Sequence, residues 1–403
     1  MKFLRTAPTG RLLAVLAALV VVIGGGSAIA VAASGSGPVP EPRSLASALH
    51  RALAAPAVKG ISADVTFTNN LIDASSLPGS DPLLKGASGR LWLAGDHRLR
   101  LELQSSAGDA QIVVNRSTFW ISDPAQQIVY QGTLPRAFLS SKGKDRGGVP
   151  SVATIQRDLN TLLQHVTDSG AIPGNVAGQP AYTVRVTPKH DGGLLGAVEV
   201  AWDAVRGVPL RFAVYARGNP NPVLELAATN ISYGSIPASD FNVAPPAGSK
   251  VVKISSAGTG RPARSRDGRD SHRAPVSGVR AVAAKLPFKL AAPSALIAIP
   301  RQSVKLLSWG GHPAALVTYG KGLGGIAVIE QTAAAKPSSA PGGGQGSGNQ
   351  TGLSLPTVSI NGATGTELDT ALGTVLRFSR GGVSYTVIGS VPPVAAETAA
   401  RAL

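Results

Sequence analysis

Apolar and polar residues alternate strictly along the middle of this chain. Tyr182, Val184 and Val186 interleave with Thr183, Arg185 and Thr187, and Val198, Val200 and Trp202 interleave with Glu199, Ala201 and Asp203. A strand turns successive side chains to opposite faces, so a period of two predicts a sheet with one apolar and one wet face. Leu210, Phe212 and Val214 extend the pattern, as do Leu224 and Leu226 around Glu225. Arg206-Gly207 and the run Gly218-Asn219-Pro220-Asn221-Pro222 supply turn chemistry between these segments. The expectation is an antiparallel meander.

The preceding stretch repeats the signal. Ile61, Ala63, Val65 and Phe67 alternate with Ser62, Asp64, Thr66 and Thr68, and further half-buried strands are predicted around Leu91 and Leu93, around Leu99, Leu101 and Leu103, over residues 111–114 and over residues 119–121. The alternation leaves open whether Trp92 or its leucine neighbours face inward, because a one-residue slip of register exchanges the two faces. Two segments change period. Ser44 can cap a short helix carrying Leu45, Leu49 and Leu53 on one face, which Pro56 ends. Ser151 precedes Val152, Ile155, Leu159, Leu162, Leu163 and Val166, a helical spacing expected to run to Gly170 and to lie across the apolar face of the sheet.

The residues that close the meander carry a family likeness. Gly178, Ala181 and Tyr182 stand in a "Gly-x-x-Ala-Tyr" strand, Pro209 to Phe212 spell Pro-Leu-Arg-Phe, and Pro237, Phe241, Pro245, Pro246 and Gly248 form a phenylalanine-and-proline tail. Trp202 and Asp203 are adjacent here, a departure from the spaced "Trp-x-Asp" pair. Gly89, Leu91, Leu93, Arg98, Leu99, Leu101 and Trp120 fit the first half of the same pattern. Residues 44–252 resemble LolA-like and RseB-like extracytoplasmic lipoprotein carriers. That resemblance implies an α+β fold in which a curved antiparallel sheet forms an open half-barrel covered by helices. It makes helices 44–55 and 151–167 the candidate lid, with Ile155, Leu159, Leu162 and Leu163 as its apolar face. It also implies lipid or lipoprotein handling in place of catalysis. The expected lining is Phe67, Leu91, Leu93, Leu99, Leu101, Leu103, Trp120, Val184, Val200, Trp202 and Phe212. The bare alternation is equally met by a sheet face packed solid beneath its helices.

Composition sets the outer limits. The 403 residues include no cysteine, which removes disulfides, thiolate chemistry, zinc-thiolate sites and a lipidated N-terminal cysteine. The formal charge is +16, yet the lysines and arginines are spread along strands and a linker with no basic helix interleaved with aromatics, so no nucleic-acid partner is expected. Lys2, Arg5 and Arg11 precede an uncharged run over residues 12–33. At 22 residues the run is long enough to cross a bilayer, and it also offers a small-residue cleavage site at Ala30-Val31-Ala32. Residues 1–40 therefore read as a signal peptide or an N-terminal membrane anchor with its tether, and either places the remainder outside the cytoplasm.

The expected domains are the half-barrel at 41–252, a basic flexible linker at 253–284, and a smaller α+β domain at 285–403 with a Gly/Ser-rich insertion at 335–352. The last domain resembles one found at the C-terminus of some extracytoplasmic anti-sigma and lipoprotein-sorting proteins. The likeness rests on Tyr319-Gly320, Val328-Ile329-Glu330, Leu376-Arg377-Phe378, Gly382, Tyr385-Thr386-Val387 and Gly389.

No catalytic constellation emerges. Gly320, Gly322 and Gly325 spell G-x-G-x-x-G, but a β-rich run follows where a phosphate cradle needs a helix N-terminus, so a hairpin turn is expected. The six histidines are isolated, without metal-ligand spacing, and no cofactor or metal is expected. The expected function is an extracytoplasmic carrier or chaperone for acyl chains of lipids or lipoproteins, membrane-associated through its N-terminal segment and open to an envelope protein partner. The alternatives are an RseB-like envelope-stress sensor acting on an anti-sigma factor and a ligand-free structural envelope protein.

Overall fold

The computed structural model describes residues 37–72, 86–95, 97–104, 109–124, 127–134, 150–189, 193–254, 276–309, 312–333 and 355–403. Of the expected segments, residues 1–36 of the export or anchor segment, residues 255–275 of the 253–284 linker and the whole insertion at 335–352 lie outside them.

Helix α1 (Leu45–Ala54) opens the fold, and the Ser44 hydroxyl caps it by accepting the Ser47 N–H at 3.3 Å. A meander follows: β1 (Gly60–Asn69), β2 (Ala87–Ala94), β3 (Arg98–Gln104), β4 (Ala110–Asn115), β5 (Thr118–Asp123) and β6 (Ile128–Thr133). Helix α2 (Val152–Leu162) leads to β7 (Val166–Asp168), β8 (Ile172–Val176), β9 (Gln179–Pro188), β10 (Leu195–Asp203), β11 (Pro209–Ala216) and β12 (Pro222–Tyr233). The two meanders fuse because β1 pairs antiparallel with β12, Ile61 opposite Tyr233 and Phe67 opposite Leu226. Among the described residues the result is a single thirteen-stranded sheet, curled into a half-barrel.

The proline-rich tail straps the outer face. Phe241, in a 3-10 turn at Ala238–Phe241, is buried beneath the Arg98 guanidinium, 5.1 Å above its ring. The Arg100 guanidinium donates to the Asp240 carbonyl at 3.1 Å. The chain then adds β13 (Lys250–Ile254) parallel to β6 at the sheet edge.

A second sheet has eight strands in the described residues. They are β14 (Ala295–Leu296), β15 (Ile299–Trp309), β16 (His312–Tyr319), β17 (Ile326–Thr332), β18 (Thr357–Ile360), β19 (Ala363–Thr370), β20 (Gly373–Arg380) and β21 (Val383–Gly389). Helices α3 (Val279–Ala283) and α4 (Pro393–Arg401) pack on it, and Pro393 begins α4 where its missing N–H costs nothing. Val276, Val279 and Val282 already belong to this second core, so the unit begins earlier than composition indicated.

The two units touch at the tip of the β19–β20 hairpin. Ala371 and Leu372 pack against Val214, Ala216 and Val223 with Leu71 and Leu195. The Ala371 N–H donates to the Leu71 carbonyl at 2.8 Å, and the Leu194 N–H donates to the Ser390 hydroxyl at 2.9 Å.

Candidate functional site

Strand register gathers the apolar residues of the half-barrel into continuous rows. One runs Val184, Val200, Phe212, Leu226, Phe67 and Ala87, each opposite the next across neighbouring strands. A second runs Ile231, Ala63, Leu91, Leu101, Ile112, Ile121 and Tyr130. A third runs Tyr233, Ile61, Leu93, Leu99, Val114 and Phe119. None of these rows holds a charged side chain, and all their residues but Val184 belong to the principal apolar cluster of the sheet. The leucines therefore face inward, which decides the register that alternation left open. Trp92 lies on the outer face, with the Arg100 guanidinium 4.9 Å and the Arg90 guanidinium 5.8 Å from its ring.

Burial is uneven along the rows. Leu99, Leu101, Leu103, Ile112 and Ile121 are fully packed. Leu91 and Leu93 on β2, Phe212 on β11, and Leu224 and Leu226 on β12 remain half-buried. These five flank β1, and Phe212 and Leu224 also pack against the Val214, Ala216 and Val223 cluster that Ala371 and Leu372 join. Leu224 and Leu226 were readable from their alternation with Glu225. Their place beside β1 was not, because it depends on the long-range pairing of β12 with β1.

The other expected lining residues divide between environments. Phe67 and Val200 are buried in the main cluster, and Val184 is buried opposite Val200. Trp202 sits under α1, packed with Tyr182, Ala48, Leu45 and Leu49, its ring centroid 5.9 Å from that of Tyr182. Trp120 corrects the expectation. On β5 the inward residues are Phe119 and Ile121, so Trp120 falls on the outer face with Val113, Val129 and Val243. Its indole N–H donates to the Val243 carbonyl at 3.1 Å, which makes it an anchor for the strap.

Helix α1 closes one end of the inner face. Its last turn rests on the β10–β11 turn, where Gly207 adopts a φ of 67°. That turn is organised by Asp203, which is fully buried. It accepts the Tyr233 hydroxyl at 2.7 Å and the N–H groups of Val205 and Arg206 at 2.8 and 2.9 Å. Burial, and then the hydrogen bond to Asp203, push the Tyr233 phenol above its ordinary value, so it remains a donor.

Helix α2 is also placed differently from the expectation. It ends at Leu162 rather than near Gly170, because the chain turns at residues 163–165 and Val166 enters β7, paired with Pro188. It packs against α1, and the Pro150 carbonyl just before it accepts the His50 Nδ1–H at 2.8 Å. Ile155 is buried, Leu159 and Leu163 are half-buried, and Leu162 is exposed. Among the described residues no group of three or more histidines and acids could hold a metal ion.

The outer face is polar and internally paired. Arg185 meets Glu199 at 2.8 Å, Arg211 meets Glu225 at 2.7 Å, and Arg90 meets Asp64 at 3.2 Å. This ion-paired face contrasts with the uncharged rows inside.

No protein-family model and no curated protein matches this chain. Among solved structures it is similar to the MucA/MucB complex of Pseudomonas aeruginosa, at 16% identity and a TM-score of 0.41, over 88% of this chain and 96% of that one. A putative outer membrane lipoprotein-sorting protein domain from Vibrio parahaemolyticus is similar at 11% identity and a TM-score of 0.21, over 49% of this chain and 96% of that one. A LolA superfamily protein from Nitrosomonas europaea is similar at 10% identity and a TM-score of 0.21, over 50% and 99%.

Proposed function

We propose that this protein is an extracytoplasmic carrier or chaperone that shields acyl chains of a lipid or lipoprotein within its half-barrel. The observation that supports the reading is that Leu91, Leu93, Phe212, Leu224 and Leu226 stay half-buried on a sheet face whose paired rows carry no charged side chain.

The energetics match the shape. An acyl chain leaving a bilayer exposes apolar surface worth ~0.8 kcal/mol per methylene, so a chain of about sixteen carbons needs an enclosure offsetting roughly 10 kcal/mol or more. Phe212 and the four leucines supply apolar contact without a buried charge to desolvate. Helices α1 and α2 form the displaceable cover, and the apolar run at 12–33 holds the chain outside the cytoplasmic face of the membrane.

A second reading is a sensor of the RseB kind, in which the same inner face detects lipid or misfolded envelope protein. The docked C-terminal sheet favours it, since a pure carrier has no evident use for a second domain fixed to its end.

The test is native mass spectrometry with lipid extraction on the full chain, exported and purified away from detergent by exchange into a polymer scaffold. Co-purifying acylated species that decline several-fold in Leu226→Trp would support an acyl site. An apo mass that persists after incubation with envelope lipids would sink it.

A further inference from the structure

A cleft of about 380 Å³ opens where the end of β9, the start of β10 and the end of β11 meet the turn into β12. That volume is in the range of small-molecule sites. The ladder itself makes the room. Leu195 pairs with Ala216 and Ala197 with Tyr215, so Gly196 is bulged between them and puts no side chain into the wall. Pro188, Leu195 and Pro220 give the cleft an apolar side, and Arg185 and Arg217 give it charge. No acid lines it.

The neighbouring charges fix what it can take. Arg185 donates through Nη1 to Glu199 at 2.8 Å, and its guanidinium is steadied 4.3 Å from the Tyr215 ring. Glu199 is buried and shared, since Arg211 Nη1 lies 3.9 Å from its other oxygen while Arg211 also donates to Glu225 at 2.7 Å. Three arginines, 185, 211 and 217, therefore face two carboxylates, and one positive charge is left over. It falls on Arg217, which is exposed and forms no ion pair among the described residues. Asp168 on the adjoining β7 accepts the Gly170 N–H at 2.6 Å, and the Lys189 ammonium donates to the Leu163 carbonyl. Asp191 lies outside the described residues. A dianion would overcharge this cleft, and a neutral ligand would leave Arg217 unanswered.

We propose that the cleft binds a small carboxylate with an apolar body, the carboxylate held by Arg217 beside Arg185 and the body resting on Leu195, Pro188 and Pro220. The site is independent of the acyl reading. Arg185 alternates with Val184 and Val186 and so lies on the opposite face of the sheet from the apolar rows. It also adjoins the contact between the two units, because the Arg217 N–H donates to the Leu194 carbonyl at 2.7 Å and the Leu194 N–H to Ser390.

Fluorine NMR titration of the full chain, in the polymer scaffold, tests this with para-fluorobenzoate as the probe. The expected result is saturable binding about ten-fold tighter than that of para-fluorobenzamide or fluoroacetate. Arg217→Gln should weaken it about five-fold or more with an unchanged circular dichroism spectrum, Arg217→Lys should restore part of the loss, and Leu226→Trp should leave it as in the parent. Equal binding of acid and amide, or an Arg217→Gln chain that binds as the parent does, would overturn the site. Binding lost in Leu226→Trp and kept in Arg217→Gln would place the probe on the inner face and overturn it too. Fluoroacetate binding as tightly as the benzoate would reduce the cleft to a plain anion site, and no saturable binding by any probe would remove it, either result leaving the acyl reading untouched.

Discussion

Gly207 and Ala52 are in such close approach that a Cβ placed on the glycine would lie 2.3 Å from the Ala52 carbonyl oxygen. The contact seats the last turn of α1 on the β10–β11 turn. Gly218 has a similar φ, 76° against 67°, but open space around it. Replacing either by alanine incurs the left-handed penalty of about 1 kcal/mol, and only Gly207→Ala also meets α1. Urea unfolding should show Gly207→Ala to be the more destabilised by at least another ~1 kcal/mol. Equal losses would mean that α1 is not seated on that turn.

Leu101 is 1% exposed and lies between Leu91 and Ile112 in the second row. Truncation to alanine leaves a void in a packed part of the face, with an expected loss of about 2–5 kcal/mol in urea unfolding. A loss below about 1 kcal/mol would show that this flank is packed no better than half-buried Leu91 and Leu93.

Glu330 on β17 is fully buried; one carboxylate oxygen accepts the Ala291 N–H at 2.8 Å and the other has no hydrogen-bond partner. Burial pushes its pKa up to about 7, opposed in part by that hydrogen bond. A carboxyl with a raised folded value binds its proton more tightly in the native state, so its contribution is most favourable below its ordinary value of 4.5 and declines as pH rises toward 7. Glu330→Gln should flatten this slope and gain on the order of 3 kcal/mol relative to the parent between pH 4.5 and pH 8. Unfolding free energies of both chains across that range decide it, and parallel curves would refute it.

Leu372 at the β19–β20 tip joins the two sheets through Leu71, Leu195 and Val214. Aspartate there places a charge among apolar partners without entering either main core. Calorimetry of Leu372→Asp should resolve two transitions closer to independent than in the parent. An unchanged thermogram would show that the tip contact does not couple the units.

Much of the half-barrel was legible from the sequence because each strand announces itself through its own alternation, and the caps at Ser44 and Ser151 through their own hydroxyls. The inner face was not fixed by that signal. Trp120 illustrates why: its strand is short, its neighbours on both sides are apolar, and only the strap residue Val243, far along the chain, gives the indole its outward partner. Helix α2 illustrates a second limit. Its periodicity predicts an apolar face but not which surface will cover it, and Val166, in phase with that face, was claimed by pairing with Pro188. The docking of Ala371 and Leu372 left no local mark at all, since a two-residue hairpin tip reads as ordinary turn.

The pairing of β1 with β12 also dictates when the molecule can become complete. Asp64 meets its partners Thr229 and Asn230 across 165 and 166 residues of intervening chain. Loop closure of that length must precede the reward of the contacts it creates, so the seam forms late and slowly. In a chain emerging N-terminus first, β1 would present one bare edge, carrying Ile61, Val65 and Phe67, until more than 150 further residues had followed. Production of this protein is therefore expected to depend on something that guards that edge during biogenesis, quite apart from what the finished half-barrel holds.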